Sequence, residues 1–313
     1  MKKQTAPARA TISHGTARRE KTTAALSSVI AAVGLTSFKI VVGLLTNSLG
    51  ILAEAAHSGL DLIAALMTFF AVRVADKPAD REHPFGHGKA ENVSALFETL
   101  LLLATSVWIV YEAIHRLTSP QVHVAVSVWS FIVMGTSIVV DVTRSRILRR
   151  AAKKFNSQAL EADALHFSTD IWSSSVVILG LVLVVIGRVV PALAFLEKGD
   201  AVAALMVAVI VVFVGGQLGV RSIQALLDAA PKNGEYEMIL KEVSRIRAVT
   251  NVHALRIRSS GAGWFVDLHV TMDGNITLNE SHRVTERIEK KVHDILLLSD
   301  VTVHVEPLEL AED

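Results

Sequence analysis

Six long apolar stretches dominate this sequence and limit the folds that it can adopt. Each holds about 20 or more mostly apolar residues, the length that an α-helix needs to cross the hydrocarbon core of a bilayer. They lie at about 24–46, 49–74, 92–114, 124–147, 164–188 and 200–226. Hydrophobic residues make up 51% of the 313 residues and charged residues 19%, below the roughly 25% charge of soluble domains. We therefore predict an α-helical membrane protein with six transmembrane helices, and this composition excludes a chain that is disordered as a whole.

The charged residues divide the chain near residue 228. Residues 1–228 hold 21 Lys and Arg against 16 Asp and Glu, whereas residues 229–313 hold 10 against 14. The formal net charge of +1 gives no reason to expect nucleic acid as a partner. We predict a disordered basic tail over 1–22, a six-helix transmembrane domain over 23–228, and a small soluble domain over 229–313.

Lys and Arg are concentrated in alternate connections between the apolar stretches. The N-terminal tail holds six, the connection between stretches four and five holds another six, and the connection between stretches two and three holds four. The intervening connections are nearly free of them. Because basic short loops stay on the cytoplasmic side, we expect both termini in the cytoplasm. The six between stretches four and five are Arg144, Arg146, Arg149, Arg150, Lys153 and Lys154.

The C-terminal part alternates helix and strand patterns. Two runs with the period of a strand flank a short turn and predict a hairpin. A long helical pattern follows, with Thr277 or Asn279 as its N-cap. The order helix, strand, strand, helix, strand predicts an α+β fold (αββαβ) with helices on one face of a sheet. The five segments are Tyr236–Ile246, Val252–Arg258, Trp264–Met272, Leu278–Leu296 and Val301–Val305.

Ionisable residues inside the apolar stretches are costly and indicate function. His57 and Asp61 are four residues apart in the second stretch, and His166 and Asp170 are four apart in the fifth. This spacing places both side chains of a pair on one helix face. If the two faces meet, two imidazoles and two carboxylates suit tetrahedral Zn²⁺. The alternative is two separate His–Asp hydrogen bonds that join helices, but the repeated pattern favours a metal site.

Two further groups of candidate ligands lie outside the apolar stretches. Asp80, His83 and His87 follow the second stretch, where Pro84, Gly86 and Gly88 disfavour a continuous helix. A turn here could bring three ligands to one ion, and a solvated polar loop is the alternative. The C-terminal part holds five histidines, with acidic residues nearby; chance surface histidines are the alternative. They are His253, His269, His282, His293 and His304. His304 and Glu306 share one strand face.

Taken together, these motifs resemble the cation diffusion facilitator family. The resemblance rests on six spans, the two HxxxD pairs, the loop HPFGHGKAE, the sequence LLDAA after the sixth stretch, and the late VHVEP. It covers residues 24–308. It implies a homodimeric, proton-coupled exporter of divalent transition metal with a ferredoxin- or metallochaperone-like cytoplasmic domain that regulates transport.

The resemblance also implies roles for individual residues. The transport site falls on His57, Asp61, His166 and Asp170, and a pair of His and Asp from each helix is the version associated with zinc. The loop site falls on Asp80, His83 and His87. The cytoplasmic sites fall on His253, His269, His282, His304 and Glu306, where the family often has Asp at the last position. An ion pair between Lys89 and Asp228 is expected to pin the dimer.

Transport driven by protons follows from the chemistry of these ligands. Zn²⁺ binds neutral imidazole and ionised carboxylate, so binding displaces protons, and histidine ordinarily titrates near pH ~6.5. We expect Zn²⁺ and protons as partners and no prosthetic group. We expect the protein to lie in a lipid bilayer, and we predict a prokaryotic inner membrane. Two alternatives remain. One is the same mechanism with Fe²⁺, Mn²⁺, Co²⁺, Ni²⁺ or Cd²⁺ as the main substrate, and the other is a membrane metal sensor or scaffold that transports nothing.

An enzyme is the least favoured interpretation. A membrane metalloenzyme would keep three protein ligands, an open water position and a base. The sequence contains no HExxH motif and no evident pair of nucleophile and base. Cysteine is absent, which excludes thiolate metal sites and disulfides.

Overall fold

Six long helices form the first part of the chain. The computed structural model describes residues 14–118, 128–189, 199–231 and 234–308. The helices match the six predicted stretches and extend beyond most of them. They are α1 (His14–Leu45), α2 (Leu49–Ala75), α3 (Lys89–Thr118), α4 (Val128–Phe155), α5 (Gln158–Val189) and α6 (Gly199–Leu226).

Length and composition allow several of these helices to cross a membrane. Within the described residues, four segments meet both criteria: Arg18–Leu45, Glu54–Ala75, Lys89–His115 and Leu205–Leu226. They belong to α1, α2, α3 and α6. Helices α4 and α5 have 28 and 32 residues, more than the ~20 needed to span the hydrocarbon core. Residues 124–127, the start of the fourth predicted stretch, lie outside the described part of the chain.

The structure corrects the predicted N-terminal tail. Helix α1 begins at His14, so residues 14–22 of the predicted disordered segment are helical. Lys21 is 4% exposed and contacts Asp76 at 2.6 Å and Glu91 at 3.0 Å. These two carboxylates hold the N-terminal turns of α1 against α2 and α3. Composition alone does not reveal these contacts. Residues 1–13 lie outside the described residues.

The structure also corrects the connection between the fourth and fifth helices. All six basic residues assigned to that connection lie inside α4, which ends at Phe155. The connection is only Asn156 and Ser157, and Asn156 adopts a left-handed φ of 51°. No Gly or Pro interrupts the sequence from 136 to 155, so the helix continues beyond the apolar run.

Helices in the bundle pack through small side chains. Helix α1 lies along α2, α3 along α6, and α4 along α5. Ala25, Ala159 and Ala164 are buried between helices, beside the large side chains Leu148 and Phe167. Small residues let helix backbones approach closely, which is the usual basis of helix association in membranes.

The C-terminal part is a three-stranded sheet packed against two helices, in the predicted order αββαβ. The elements are α7 (Glu235–Val243), β1 (Asn251–Ser260), β2 (Gly263–Met272), α8 (Leu278–Ile295) and β3 (Ser299–Pro307). Strand β1 pairs antiparallel with β2, and β2 pairs parallel with β3. Thr277 is the N-cap of α8, where it forms a capping box with Glu280. Ile239, Val266 and Ile288 belong to the shared core. We call this part the tail domain.

The turn between β1 and β2 docks on the connection between α2 and α3. Phe85 and Phe265 stack edge to face with ring centroids 5.3 Å apart. The guanidinium of Arg258 lies 4.4 Å from the Phe85 centroid. A side-chain carbon on Gly88 would lie 2.4 Å from the carbonyl oxygen of Ser260, so only glycine permits this approach. The tail domain therefore rests against the loop that contains the predicted metal ligands.

Candidate metal centres

The four residues of the two HxxxD pairs lie together between α2 and α5. We call His57, Asp61, His166 and Asp170 the central cluster. One ligand atom from each of His57, Asp61 and Asp170 lies within 4.8 Å of the others. The Nε2 atom of His166 lies 3.1 Å from Asp61 and 3.6 Å from Asp170. The helical spacing therefore does bring both pairs to one place.

The central cluster has an accessible and an inaccessible side. The His57 side chain is 40% exposed and its Nε2 lies 3.8 Å from Asp170 and 3.9 Å from Asp61. The His166 side chain is 4% exposed, and its Nδ1 has no hydrogen-bond partner. Two imidazole nitrogens and two carboxylates are a donor set that suits Zn²⁺ and related divalent metals.

Other charged residues of the spans have local partners. Lys39 of α1 lies 3.3 Å from Glu54 and donates to the Ser58 hydroxyl at 2.8 Å. Thr68 donates to the fully buried Glu98. Lys39 and Glu54 thus form an ion pair between neighbouring helices. These contacts join α1 to α2 and α2 to α3 next to the central cluster.

Asp80, His83 and His87 form a second group, which we call the loop cluster. Asp80 lies 3.5 Å from His83 Nδ1 and 3.4 Å from His87 Nε2. The backbone N–H groups of His83 and Glu82 donate to the Asp80 carboxylate, and the first of these is the main cause that lowers its pKa. Gly86 has a φ of 77°, which glycine adopts without strain. The predicted turn is confirmed, and the carboxylate stays available to a cation.

The tail domain contains a third group on its sheet. His253, His269 and His304 lie side by side because they pair in register on β1, β2 and β3. Glu306 contacts His253 at 3.1 Å, His269 at 2.8 Å and His304 at 3.6 Å. The hydrogen bond with His269 is the main cause that lowers the Glu306 pKa. We call these four residues the tail cluster, in which Glu306 reaches all three imidazoles.

Two of the histidines singled out in the tail domain lie apart from this cluster. His282 is on α8, is 70% exposed, and has Glu286 at 3.8 Å. His293 bonds to the Ser299 hydroxyl at 2.7 Å. Within the described residues of one chain, neither shares a ligand group with the tail cluster. A role for His282 as a ligand stays a prediction.

Lys89 and Asp228 form the expected ion pair. Their charged atoms lie 2.9 Å apart, and Arg258 of the tail domain lies 3.4 Å from the same carboxylate. The hydrogen bond from Lys89 is the main cause that lowers the Asp228 pKa. The pair forms within one chain and links α3, the end of α6 and the tail domain.

Arg144 is a functional candidate that sequence reasoning misplaced. The sequence pattern places Arg144 in the connection between the fourth and fifth stretches. In the structure it lies inside the bundle and is only 4% exposed. Its guanidinium lies 3.4 Å from the centroid of the Phe167 ring, and Phe167 directly follows His166. The unbroken helical stretch from 136 to 155 was the signal that could have placed it inside a helix.

Two family models match this chain. The first, described as the cation efflux transmembrane domain, matches residues 25–227. The second, described as the cation efflux protein cytoplasmic domain, matches residues 231–308. The two models together cover both parts of the fold and meet at the boundary predicted from charge.

Curated relatives match over nearly their full length. A cation-efflux pump FieF of Cronobacter sakazakii is 31% identical over 284 residues, covering 91% of this chain and 92% of the relative. A protein of the same name from Shewanella oneidensis is 31% identical over 290 residues, covering 92% and 94%. A solved structure of CzrB in its zinc form is 29% identical, with 27% of this chain and 97% of that chain covered and a TM-score of 0.25.

Proposed function

This chain belongs to the cation diffusion facilitator family of membrane cation-efflux transporters, and we propose that it exports Zn²⁺ in exchange for protons. The observation that supports this proposal most directly is the central cluster, in which two imidazoles and two carboxylates converge between two helices. Nitrogen and oxygen ligands in equal number suit Zn²⁺ better than harder ions such as Mn²⁺, which prefer oxygen alone.

Proton exchange follows from what the ligands must do. The imidazoles of His57 and His166 lie 3.8 Å and 3.1 Å from a carboxylate, and a proton held on either imidazole nitrogen has to leave before that nitrogen can bind a cation. In the proposed cycle the metal enters from the cytoplasm, displaces protons, and is displaced in turn by protons on the other side. Alternating access supplies the change of side.

We propose separate roles for the other two clusters. The loop cluster would bind metal next to the docking surface of the tail domain. The tail cluster, with Glu306 and three histidines, would bind regulatory metal and bias the packing of a homodimer, pinned by Lys89 and Asp228. A ligand shifts such an equilibrium only by its different affinity for the two states. A monomeric mass for the solubilised, active protein would contradict this arrangement.

We also propose the orientation and location. Helix α4 ends with Arg149, Arg150, Lys153 and Lys154, and short basic segments remain in the cytoplasm. Both termini and the tail domain would thus be cytoplasmic. The curated relatives are bacterial, and an inner membrane is the corresponding location.

Metal flux into proteoliposomes under an imposed pH gradient tests the main proposal. We expect Zn²⁺ flux that follows the gradient and falls at least about 100-fold in Asp170→Ala, because removing one carboxylate breaks the four-ligand set. Thermal unfolding of the variant checks that the bundle is intact. Gradient-driven flux of Mn²⁺ or Fe²⁺ but not of Zn²⁺ would support proton-coupled export and contradict Zn²⁺ as the substrate. No flux of any metal from folded protein would favour a sensor or scaffold.

A further inference from the structure

A buried guanidinium connects three helices beside the central cluster. Arg144 of α4 donates to the Ser28 hydroxyl of α1 through Nε at 3.3 Å and Nη2 at 3.0 Å. Ser28 in turn donates to the Asp163 carboxylate of α5 at 3.2 Å. The hydroxyl accepts two bonds and donates one, which uses its full capacity. Arg144 and Asp163 are therefore linked through one shared side chain.

Acidic groups surround this guanidinium. Asp141, one turn earlier in α4, lies 3.4 Å from Nη1. Arg144 is also within electrostatic reach of Asp61, Asp163 and Asp170, two of which belong to the central cluster. Lys39, another buried cation among the described residues, lies against Glu54 and Ser58 instead. Arg144 is thus a positive charge that the central cluster shares with two further carboxylates.

The guanidinium also contacts the element that carries two of the ligands. Its Cζ lies 3.4 Å above the Phe167 ring, a cation–π contact. The His166 ring meets the edge of Phe167 with centroids 5.4 Å apart. Arg144 therefore lies one aromatic ring away from His166.

We propose that Arg144 is a positioning residue whose fixed charge weakens the hold of the central cluster on its divalent cation and so speeds release. This inference rests on the proposed function. A transported ion must bind strongly enough to enter and weakly enough to leave. Two carboxylates and two imidazoles in a low-dielectric interior bind a divalent cation tightly, and a nearby positive charge opposes that binding.

Replacing Arg144 should change metal affinity in opposite directions depending on whether its charge tunes affinity or it is only a structural brace. If Arg144 only braces α5, its removal loosens the ligands and weakens metal binding. If its charge tunes affinity, removal of the charge strengthens metal binding and slows turnover. The direction of the change in Kd therefore distinguishes the two roles.

The test measures Zn²⁺ binding by calorimetry on the full chain in nanodiscs, with the other candidate clusters removed. The background carries His83→Ala, His87→Ala, His253→Ala and His269→Ala. Arg144→Met should tighten the Zn²⁺ Kd by on the order of tenfold and lower the maximum rate of flux. Arg144→Lys keeps the charge and should stay near the background value. Lys154→Met, which removes an exposed charge from the same helix, is the control and should change neither.

If Arg144→Met fails to fold, Arg144→Gln removes the same charge while leaving an amide that can donate to Ser28, and it should tighten the Kd in the same way. A double variant checks that the effect comes from charge. Arg144→Met with Asp141→Asn restores the net charge of the site, so its Kd should return toward the background. A weaker or unchanged Kd in folded Arg144→Met, or a double variant that binds less tightly than the background, would overturn the inference alone. A background protein that binds no Zn²⁺ would overturn the proposed site and this inference with it.

Discussion

At the scale of single residues, the donor atoms of the central cluster would decide which cations the proposed site binds. His57 differs from His166 in its surroundings, since the first is 40% exposed and the second 4%. The buried imidazole of His166 has Asp61 within hydrogen-bond distance at 3.1 Å, whereas the exposed imidazole of His57 lies 3.8 Å or more from both carboxylates. His57 is thus the member of the central cluster that can be exchanged with least disturbance to packing.

Replacing His57 by aspartate should change metal selectivity. The exchange turns a set of two nitrogens and two oxygens into one nitrogen and three oxygens, which harder ions prefer. We expect the ratio of Mn²⁺ to Zn²⁺ flux to rise by about tenfold. Both fluxes are measured on the same proteoliposomes, so the ratio is independent of how much protein is incorporated. An unchanged ratio would show that His57 is not a ligand during transport.

At the scale of elements, helix α8 shows how local sequence stabilises the tail domain. The Thr277 hydroxyl accepts from the Glu280 backbone N–H at 3.3 Å, and the Glu280 carboxylate accepts from the Thr277 backbone N–H at 3.0 Å. Two N–H groups that a helix start leaves unpaired are satisfied in this way. Val284, Ile288 and Val292 then form a buried stripe with helical spacing.

Loss of the cap should destabilise α8. Thr277→Ala should cost about 1 kcal/mol in the opening free energy of α8, measured by amide hydrogen exchange on the full chain. Thr285→Ala, which removes a hydroxyl from the helix interior, is the matched control and should have little effect. Equal protection of α8 in Thr277→Ala and in the parent would exclude a stabilising cap.

The cap should also respond to acid. The hydrogen bond from the Thr277 backbone N–H is the main cause that lowers the Glu280 pKa. A lowered folded-state pKa means that the stabilisation is present above the pKa of the unfolded chain and is lost as pH falls through the folded value. Protection of α8 should therefore fall in acid, and less so in Glu280→Gln. The same acid sensitivity in Glu280→Gln would assign the effect to another group.

At the scale of the whole molecule, the two domains meet at a surface that includes the loop between α2 and α3. Asp228 lies between Lys89 of the bundle and Arg258 of the tail domain. The Asn92 side chain accepts from the Gly261 backbone N–H at 3.3 Å. His83 and His87 of the loop cluster line the same 400 Å³ cavity as Arg258 and Phe265. Metal at the loop cluster would thus lie at the domain boundary.

Gly88→Ala should disturb this docking without changing charge. The added carbon would meet the Ser260 backbone, which has little freedom to move away. Spin labels on cysteines placed at Arg81 and Lys290 can report the distance between domains, because the chain has no native cysteine. We expect a broader distance distribution. Gly216→Ala, which has open space around it, is the control, and equal distributions for both variants would contradict the close approach.

Patterns along the chain determined the architecture of this protein. Apolar length and helical spacing predicted six helices and both HxxxD pairs, and strand alternation predicted the order αββαβ, because these features depend on near neighbours in sequence. Motif resemblance added the family, which the matches over 25–227 and 231–308 bear out. The predicted turn at the loop cluster followed from glycine and proline, whose conformational effects are local.

Only the tertiary structure decided which distant residues meet. It placed Lys21 against Asp76 and Glu91, Arg144 against Ser28 and Phe167, and Arg258 against Phe85. From sequence alone, an arginine is expected to be exposed to solvent. A charge can be buried only where other elements supply partners for it, and these partners are known only from the tertiary structure. His282 lies away from the tail cluster for a related reason. Its distance from the histidines of the sheet depends on how α8 packs, which spacing along the sequence does not determine.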